Sequence, residues 1–402
     1  MDSSDDWASR AAELLPTGTS TGSKRPGALY GGEPPYGPTH FARAAGCRIE
    51  TAEGDTLLDC TMALGAVAIG YAEPRITRAV IDAAAGGNVA GLSHTLEVEL
   101  AEQFCNAVPC AERVQFLKTG AEAVAAAVRI ARAYTGRDVV IGSGYFGWLD
   151  WSTSAVGVPR GVTQDYRSVP FDDIPALEGA AADAGDRLAA IVLEPVVERL
   201  PSDEWIARAR ALCDARGAAL IFDEVKTGFR LATGGFQQYS GVTPDLATFG
   251  KALANGFPLS AVCGRAELMD VLRKTWISST LASEATALAA AVAVLDWHGG
   301  AEVCESLWRI GKEMRDAVSR ALKASGLAGV RIEGLDPMWF LRFDSPDVEG
   351  RFLRNAVEHG ALFKRGPYNF ASLAHDDDAI REIEAAASNA FVAIQEERTA
   401  RT

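Results

Sequence analysis

The sequence predicts an α/β protein whose main body is a largely parallel sheet with helices on both faces, joined to a smaller α+β domain. Three observations predict it. Short apolar runs alternate with segments of helical spacing from about Arg113 onward, and the composition turns helical from about Thr286. Two of the apolar runs end in an aspartate and a lysine, which a parallel sheet delivers to the same edge.

Taken in order, residues 15–45 are rich in Gly, Pro, Ser and Thr, as in Pro16-Thr17-Gly18-Thr19 and Gly31-Gly32-Glu33-Pro34-Pro35. They read as an extended arm with little regular structure. The apolar runs are Val114–Leu117, Val139–Ile141, Ala190–Leu193, Ala219–Phe222, Leu246–Phe249 and Ser260–Cys263, with helical spacing in Ala121–Tyr134 and Trp205–Arg216. Near the end, Ala287–Asp296 leads to Glu305–Ala324, and a last helix is expected near Asp378–Gln395. The expected organisation is an arm and part of the small domain over 1–60, a large domain over 61–290, and the rest of the small domain over 291–402.

Charge narrows the function. The 402 residues carry 39 basic and 53 acidic side chains, a net charge of −14, and no basic run that would offset repulsion from a phosphate backbone. Nucleic acid is therefore not an expected partner. Met1-Asp2-Ser3-Ser4-Asp5-Asp6 is the reverse of a signal peptide, and the apolar stretch Ala121–Ile130 is broken by Glu122 and Arg129. The expectation is a cytoplasmic protein with no membrane partner. The seven cysteines form no C-x-x-C pair and the five histidines are dispersed, so neither a disulfide framework nor a metal site is expected.

Two motifs weaken on inspection. Gly142-Ser143-Gly144-Tyr145-Phe146-Gly147 spells a dinucleotide-binding turn, but Trp148-Leu149-Asp150-Trp151 is a poor start for the helix such a turn needs. Gly18-Thr19-Ser20-Thr21-Gly22 spells a nucleophile elbow without the strand before it. The informative residues are Asp223, at the exit of Ala219–Phe222, and Lys251, just past Leu246–Phe249. A lysine desolvated there becomes a nucleophile toward an aldehyde, and a buried aspartate calls for a cation; pyridoxal phosphate (PLP) offers an aldehyde, a pyridinium and a phosphate. Taken alone, the two residues read equally well as an ordinary ion pair. Thr119-Gly120-Ala121-Glu122-Ala123, between a strand and a helix, adds an anion site, although a generic turn would look similar. Tyr145, at the end of the next strand, is a candidate to lie against an aromatic ring, with a core tyrosine as the other reading.

The succession T-G-A-E-A, G-Y-F-G-W, L-E-P-V, F-D-E-V-K-T-G-F-R, G-V-T-P-D-L-A-T-F-G-K-A-L-A-N-G and S-S-T, spread from about Gly54 to His375, resembles the class III aminotransferases, especially the branch around glutamate-1-semialdehyde aminomutase. The resemblance implies a fold type I PLP enzyme with a seven-stranded, mainly parallel sheet, the large domain binding the cofactor. It implies that Lys251 forms the aldimine with PLP and that Asp223 pairs with the pyridine nitrogen. Val225 and Tyr145 would cover the two ring faces, with Phe146 beside Tyr145. Thr119, Gly120 and Ala121 would hold the phosphate, Thr280 would reach it from a partner subunit in a homodimer with shared sites, and Glu194 would support the pocket.

The departures bear on the substrate. Ala121 stands where the family usually has a hydroxyl residue, and Lys118 where a small or neutral one is usual, either solvated or placed to meet an anionic substrate. Phe146 replaces a histidine, so that Phe146, Trp148 and Trp151 suggest an aromatic wall, with ordinary packing the better reading for Trp151. Lys24, Arg25 and Arg365 are candidates to grip a substrate anion, with exposed solvated charges as the alternative. The implied reaction moves an amino group from a small-molecule donor to a ketone or aldehyde acceptor, with a preference for a sugar-like or other specialised carbonyl. An aminomutase, racemisation, decarboxylation or carbon–carbon bond formation on the same scaffold is the alternative, and a catalytically silent binding protein is the rival outside enzymes.

Overall fold

The structure is a computed structural model that describes residues 7–31 and 36–400. The acidic start, residues 1–6, and the part of the arm at residues 32–35 lie outside the described residues. The chain divides into two compact units, Pro74–Cys304 and Met1–Glu73 with Glu305–Thr402.

The Pro74–Cys304 unit is built on a seven-stranded sheet. Its spatial order is Arg113–Leu117, Ser260–Gly264, Leu246–Phe249, Ala219–Asp223, Leu188–Leu193, Val139–Ser143, Tyr166–Ser168. Every neighbouring pair from Leu246–Phe249 onward is parallel; Ser260–Gly264 alone among these strands runs antiparallel to both its neighbours. The inner strands Leu188–Leu193 and Ala219–Asp223 are buried at every position, as strands covered on both faces must be.

The helix Gly120–Thr135 seals one face. It buries Ala123, Val124, Ala127, Val128, Ile130 and Ala131 against strand residues that include Val140, Val192, Ile221 and Val262. The sequence sets both its ends. Thr119 caps the start, and Gly136, at φ +67°, takes the left-handed conformation that closes the last turn. Truncating fully buried Ile130 to alanine would cost about 2–5 kcal/mol. The helix Asp203–Arg216 packs against the strands Leu188–Leu193 and Ala219–Asp223 and buries Trp205, Ile206, Ala209 and Cys213.

The other unit is α+β. One sheet runs Phe41–Ala45, Arg48–Thr51, Thr56–Asp59, Ala361–Leu362, and a second, antiparallel sheet runs Val330–Leu335, Met338–Phe343, Asn369–Phe370. Helices Pro346–Glu358 and Asp377–Ala400 pack together through Phe352 and Phe391, whose ring centroids are 4.7 Å apart. The arm is more regular than its composition predicts. Pro26, with its φ preset for a helix, opens the helix Pro26–Tyr30, and Phe41–Ala45 is an edge strand. Among the described residues no single helix is long and apolar enough to cross a membrane.

Candidate active site

Asp223 is the last residue of its strand and pairs in register with Thr248 on the next. Its Oδ1 accepts the Val225 N–H at 3.0 Å and the Thr248 hydroxyl at 3.2 Å. Burial, and then the negative charge of Glu194, push its carboxyl up to about 7. The Val225 N–H, Lys251 and Thr248 act in the opposite direction without cancelling the rise.

Lys251 follows two residues after the strand Leu246–Phe249, at φ +47°, a left-handed conformation that is costly for a residue with a β-carbon. It opens the short turn Lys251–Ala254. Its amine makes no hydrogen bond or ion pair among the described residues, Asp223 included, yet each group feels the other's charge. Burial and then the Lys226 cation hold the amine below its ordinary value; Asp223 and Glu194 oppose this, and Arg230 adds to it. An amine of lowered basicity and an under-compensated carboxylate thus stand at the carboxyl edge of two adjacent strands, where open α/β sheets bind ligands.

The helix start expected to hold an anion adjoins them. At the start of Gly120–Thr135, Thr119 Oγ1 accepts the Glu122 N–H at 3.2 Å and Glu122 Oε2 accepts the Thr119 N–H at 2.8 Å, a reciprocal cap that fixes the turn. Ser260 anchors it by donating to the Thr119 carbonyl at 2.8 Å. A β-carbon on Gly120 would lie 3.0 Å from both γ-carbons of Val225, so this helix start is packed directly on the turn that carries Asp223. A β-carbon on Gly147 would come within 2.4 Å of the Ala121 β-carbon. The loop that follows Val139–Ser143 therefore rests on the same helix start, and Ala121 is the small residue that lets it. Thr119, Gly120, Ala121, Tyr145, Val225, Asp223 and Lys251 belong to one set of interlocking loops.

Within the Tyr145 loop the side chains diverge. Tyr145 and Trp148 are 73% and 74% exposed, whereas Phe146 is buried and stacks on Trp151 at 5.8 Å, with Trp151 meeting Tyr166 edge-on. The expected aromatic wall is corrected at Phe146, which faces the core, where Gly142 leaves room for it and Tyr166; Trp151 packs there too, in keeping with its packing reading. Glu194 accepts the Tyr145 N–H at 3.1 Å and pairs with Lys226 at 2.5 Å. Lys118 does not stand open to a substrate. It pairs with Glu284 at 2.9 Å and donates to the Pro258 carbonyl at 3.0 Å.

Thr280 lines a different space, a polar cavity of about 190 Å³ with Asn88, Ser93, His94 and Ser283. Lys24, Arg25 and Arg365 belong to the other unit. Lys24, Tyr30 and Lys364 line a cavity of about 630 Å³ there, walled largely by Ala, Leu and Pro. Arg25 is exposed, and Arg365 is engaged within its unit by the Gly27 carbonyl at 2.8 Å and Glu349 at 3.5 Å. Sequence reasoning missed Thr248, Lys226 and Glu224. Glu224 is buried, accepts from the N–H groups of Phe236 and Gln237 and from the Thr227 hydroxyl, and so clamps the chain that leaves Asp223. Lys226 and Glu224 flank Val225 inside the F-D-E-V-K run, and that adjacency was the available signal.

The fold and this arrangement define an aminotransferase scaffold, and residues 33–374 match the family "Aminotransferase class-III". The chain belongs to that family. It is 34% identical over 389 residues to 2'-deamino-2'-hydroxyneamine transaminase of Streptomyces kanamyceticus, covering 95% of this chain and 97% of that one. It is 35% identical over 341 residues to glutamate-1-semialdehyde 2,1-aminomutase of Rhodopirellula baltica, covering 79% and 76%. Among solved structures, the PLP internal aldimine form of Sphingopyxis sp. MTA144 FumI protein superposes with TM-score 0.93 at 27% identity, over 98% of this chain and 97% of that one.

Proposed function

We propose that this chain is a PLP-dependent aminotransferase in which Lys251 carries the cofactor and moves the substrate proton. The single observation that carries this reading is the pair at the sheet edge. The Lys251 amine is unpaired and its basicity is depressed, beside Asp223, whose buried carboxyl lacks a full complement of positive charge. The residues present fit PLP. Asp223 has a carboxylate to offer a ring cation, the start of Gly120–Thr135 offers N–H groups to a phosphate, and Gly120, having no β-carbon, lets that start close onto Val225 beside Asp223. When bound, the cofactor supplies an aldehyde for the amine and a ring that withdraws electrons.

The chain's own residues do the rest. Burial and Lys226 shift the Lys251 amine toward its neutral form, in which it can take the proton from the donor's α-carbon and return one to the acceptor. Asp223 holds a positive charge at its carboxylate, and Thr248 and the Val225 N–H fix that carboxylate's direction. Val225 and Tyr145 supply the two walls of the ring slot, and Thr119, Gly120 and Ala121 the phosphate turn. In this reading Pro74–Cys304 is the cofactor-binding domain, and the arm with the C-terminal segment is the small domain, where Lys24, Arg25 and Arg365 remain the candidates for a substrate anion.

The near end-to-end match to the neamine-type transaminase supports a hydroxyl-rich carbonyl acceptor. The aminomutase relative supports a second reading, an amino shift within one molecule. A homodimer is part of the proposal. Val89, Leu92, Trp276 and Leu281 are 48%, 87%, 82% and 53% exposed, on the two segments that line the Thr280 cavity or adjoin it, and a second copy would cover them. The test is a half-reaction. Protein loaded with PLP, given amino donors one at a time, should convert its visible absorbance to the pyridoxamine form and pass the amine to an added carbonyl. Turnover of an amino aldehyde with no donor consumed would replace transfer by the amino shift.

A further inference from the structure

Lys226 lies one residue beyond Val225, and its ammonium stands 2.5 Å from Glu194 Oε1, with the two side chains only 8% and 14% exposed. Glu194 directly follows the neighbouring strand Leu188–Leu193. Its other oxygen accepts the Tyr145 N–H, and a β-carbon on Gly144 would come within 2.4 Å of the Glu194 β-carbon. One ion pair therefore ties the exits of three strands that are consecutive in the sheet: Val139–Ser143, Leu188–Leu193 and Ala219–Asp223. The loops it joins carry Tyr145 and Val225. Tyr145 is 73% exposed, so its own side chain does little to hold its loop in place.

Stability alone does not account for the pair. Burying a lysine and a glutamate strips water from two charges, and well-packed apolar residues of similar volume stabilise a fold as well or better. An apolar pair would not, however, place a cation and an anion beside the Lys251 amine and the Asp223 carboxylate. The charged groups acting on Lys251 are Lys226, Asp223, Glu194 and Arg230, and the first and third of these are the two ends of this pair.

We propose that Lys226 and Glu194 form a positioning pair for the cofactor site. It sets the spacing between the Tyr145 and Val225 loops and places a second cation beside Lys251. This inference rests on the PLP reading above.

The experiment compares wild type, Lys226→Met, Lys226→Arg and Glu194→Gln. Each is stripped and reloaded with PLP, the dissociation constant is measured by fluorescence, and the pH midpoint of the Lys251-dependent absorbance band is titrated. Lys226→Met is expected to weaken PLP binding about tenfold, a coupling of ordinary size between contacting groups, and Lys226→Arg to stay within about twofold of wild type. The midpoint should rise in Lys226→Met, which loses a like charge beside Lys251, and fall in Glu194→Gln, which loses an opposite one. Midpoints that move in the same direction, or do not move, overturn the proposal, as does Lys226→Met with wild-type PLP affinity. If a lone buried charge prevents either single variant from folding, Lys226→Met/Glu194→Gln removes both charges together. Wild-type PLP affinity in that double variant likewise overturns the proposal, and about tenfold weaker binding supports it. A wild-type protein with no Lys251-dependent band fails earlier, at the cofactor reading itself.

Discussion

Asp223 and Asp245 are both 5% exposed and stand at opposite edges of the same sheet. Asp245, at the amino edge before Leu246, is saturated: Arg210 at 2.8 Å, Arg265 at 2.9 Å and the Leu220 N–H at 2.8 Å all converge on it. Asp223, at the carboxyl edge, receives one N–H and one hydroxyl, both on Oδ1, and burial with a like charge at Glu194 outweighs the help Lys251 gives it. The amino edge uses its carboxylate to weld strands and helices together. The carboxyl edge leaves its carboxylate short of positive charge, a deficit that the ring cation of the proposed cofactor would fill. Within the carboxyl edge itself Lys118 and Lys251 differ in the same way: the first is paired with Glu284, the second has no partner but the field around it.

Substitutions at the two edges should therefore separate activity from stability. The largest effect on rate is expected at Lys251→Ala, a loss of about 10,000-fold or more in amino transfer together with the visible band of the PLP-loaded protein. Asp223→Asn keeps the shape and removes the charge, and should cost about 100- to 1,000-fold in kcat, measured with a saturating donor.

The same variant should make the cofactor-free protein more stable. The folded carboxyl sits at about 7, above the ~3.9 of an unfolded aspartate. Between these values the folded state binds the extra proton, so wild-type stability falls as pH rises from about 4 to about 7. The gain in melting temperature of Asp223→Asn over wild type should therefore grow from pH 5 to pH 8. A gain that shrinks over that range contradicts the assignment. Glu224, also pushed up to about 7, keeps its own part of the slope in both proteins.

Gly120→Ala sharpens the comparison at the helix start. The new methyl meets Val225 and should weaken PLP binding about tenfold in an equilibrium titration. Asp245→Asn should have the smallest effect on rate, leaving kcat within about twofold. It should instead lower stability by about 1–3 kcal/mol in denaturant unfolding, because charge-assisted hydrogen bonds from two partly exposed guanidinium groups are weakened.

Much of this site was legible because its residues sit at fixed offsets from apolar runs. A buried strand announces itself by composition, and the side chain that ends it inherits a known edge, which is how Asp223 and Lys251 were found. Thr119 was legible for a similar reason, since an N-cap is a local signal. The pairings that decide charge were not. Lys118 and Glu284 lie 166 residues apart, and nothing in either neighbourhood announces the other. The side-chain directions of Tyr145 and Phe146 were also out of reach. The loop's glycines set which aromatic faces the core, and a string of aromatics looks the same either way. The strand Tyr166–Ser168 went unread because three residues containing an arginine carry too little pattern, and the antiparallel course of Ser260–Gly264 depends on the path of the chain rather than on local composition.

The central claim is that Lys251, alone among the buried and half-buried amines of the Pro74–Cys304 unit, is free to bond an aldehyde. Loading the protein with PLP, reducing it with borohydride and mapping the peptides tests this directly. The account predicts a single pyridoxyl group on Lys251. A pyridoxyl group on Lys226, or none on any lysine, would contradict it.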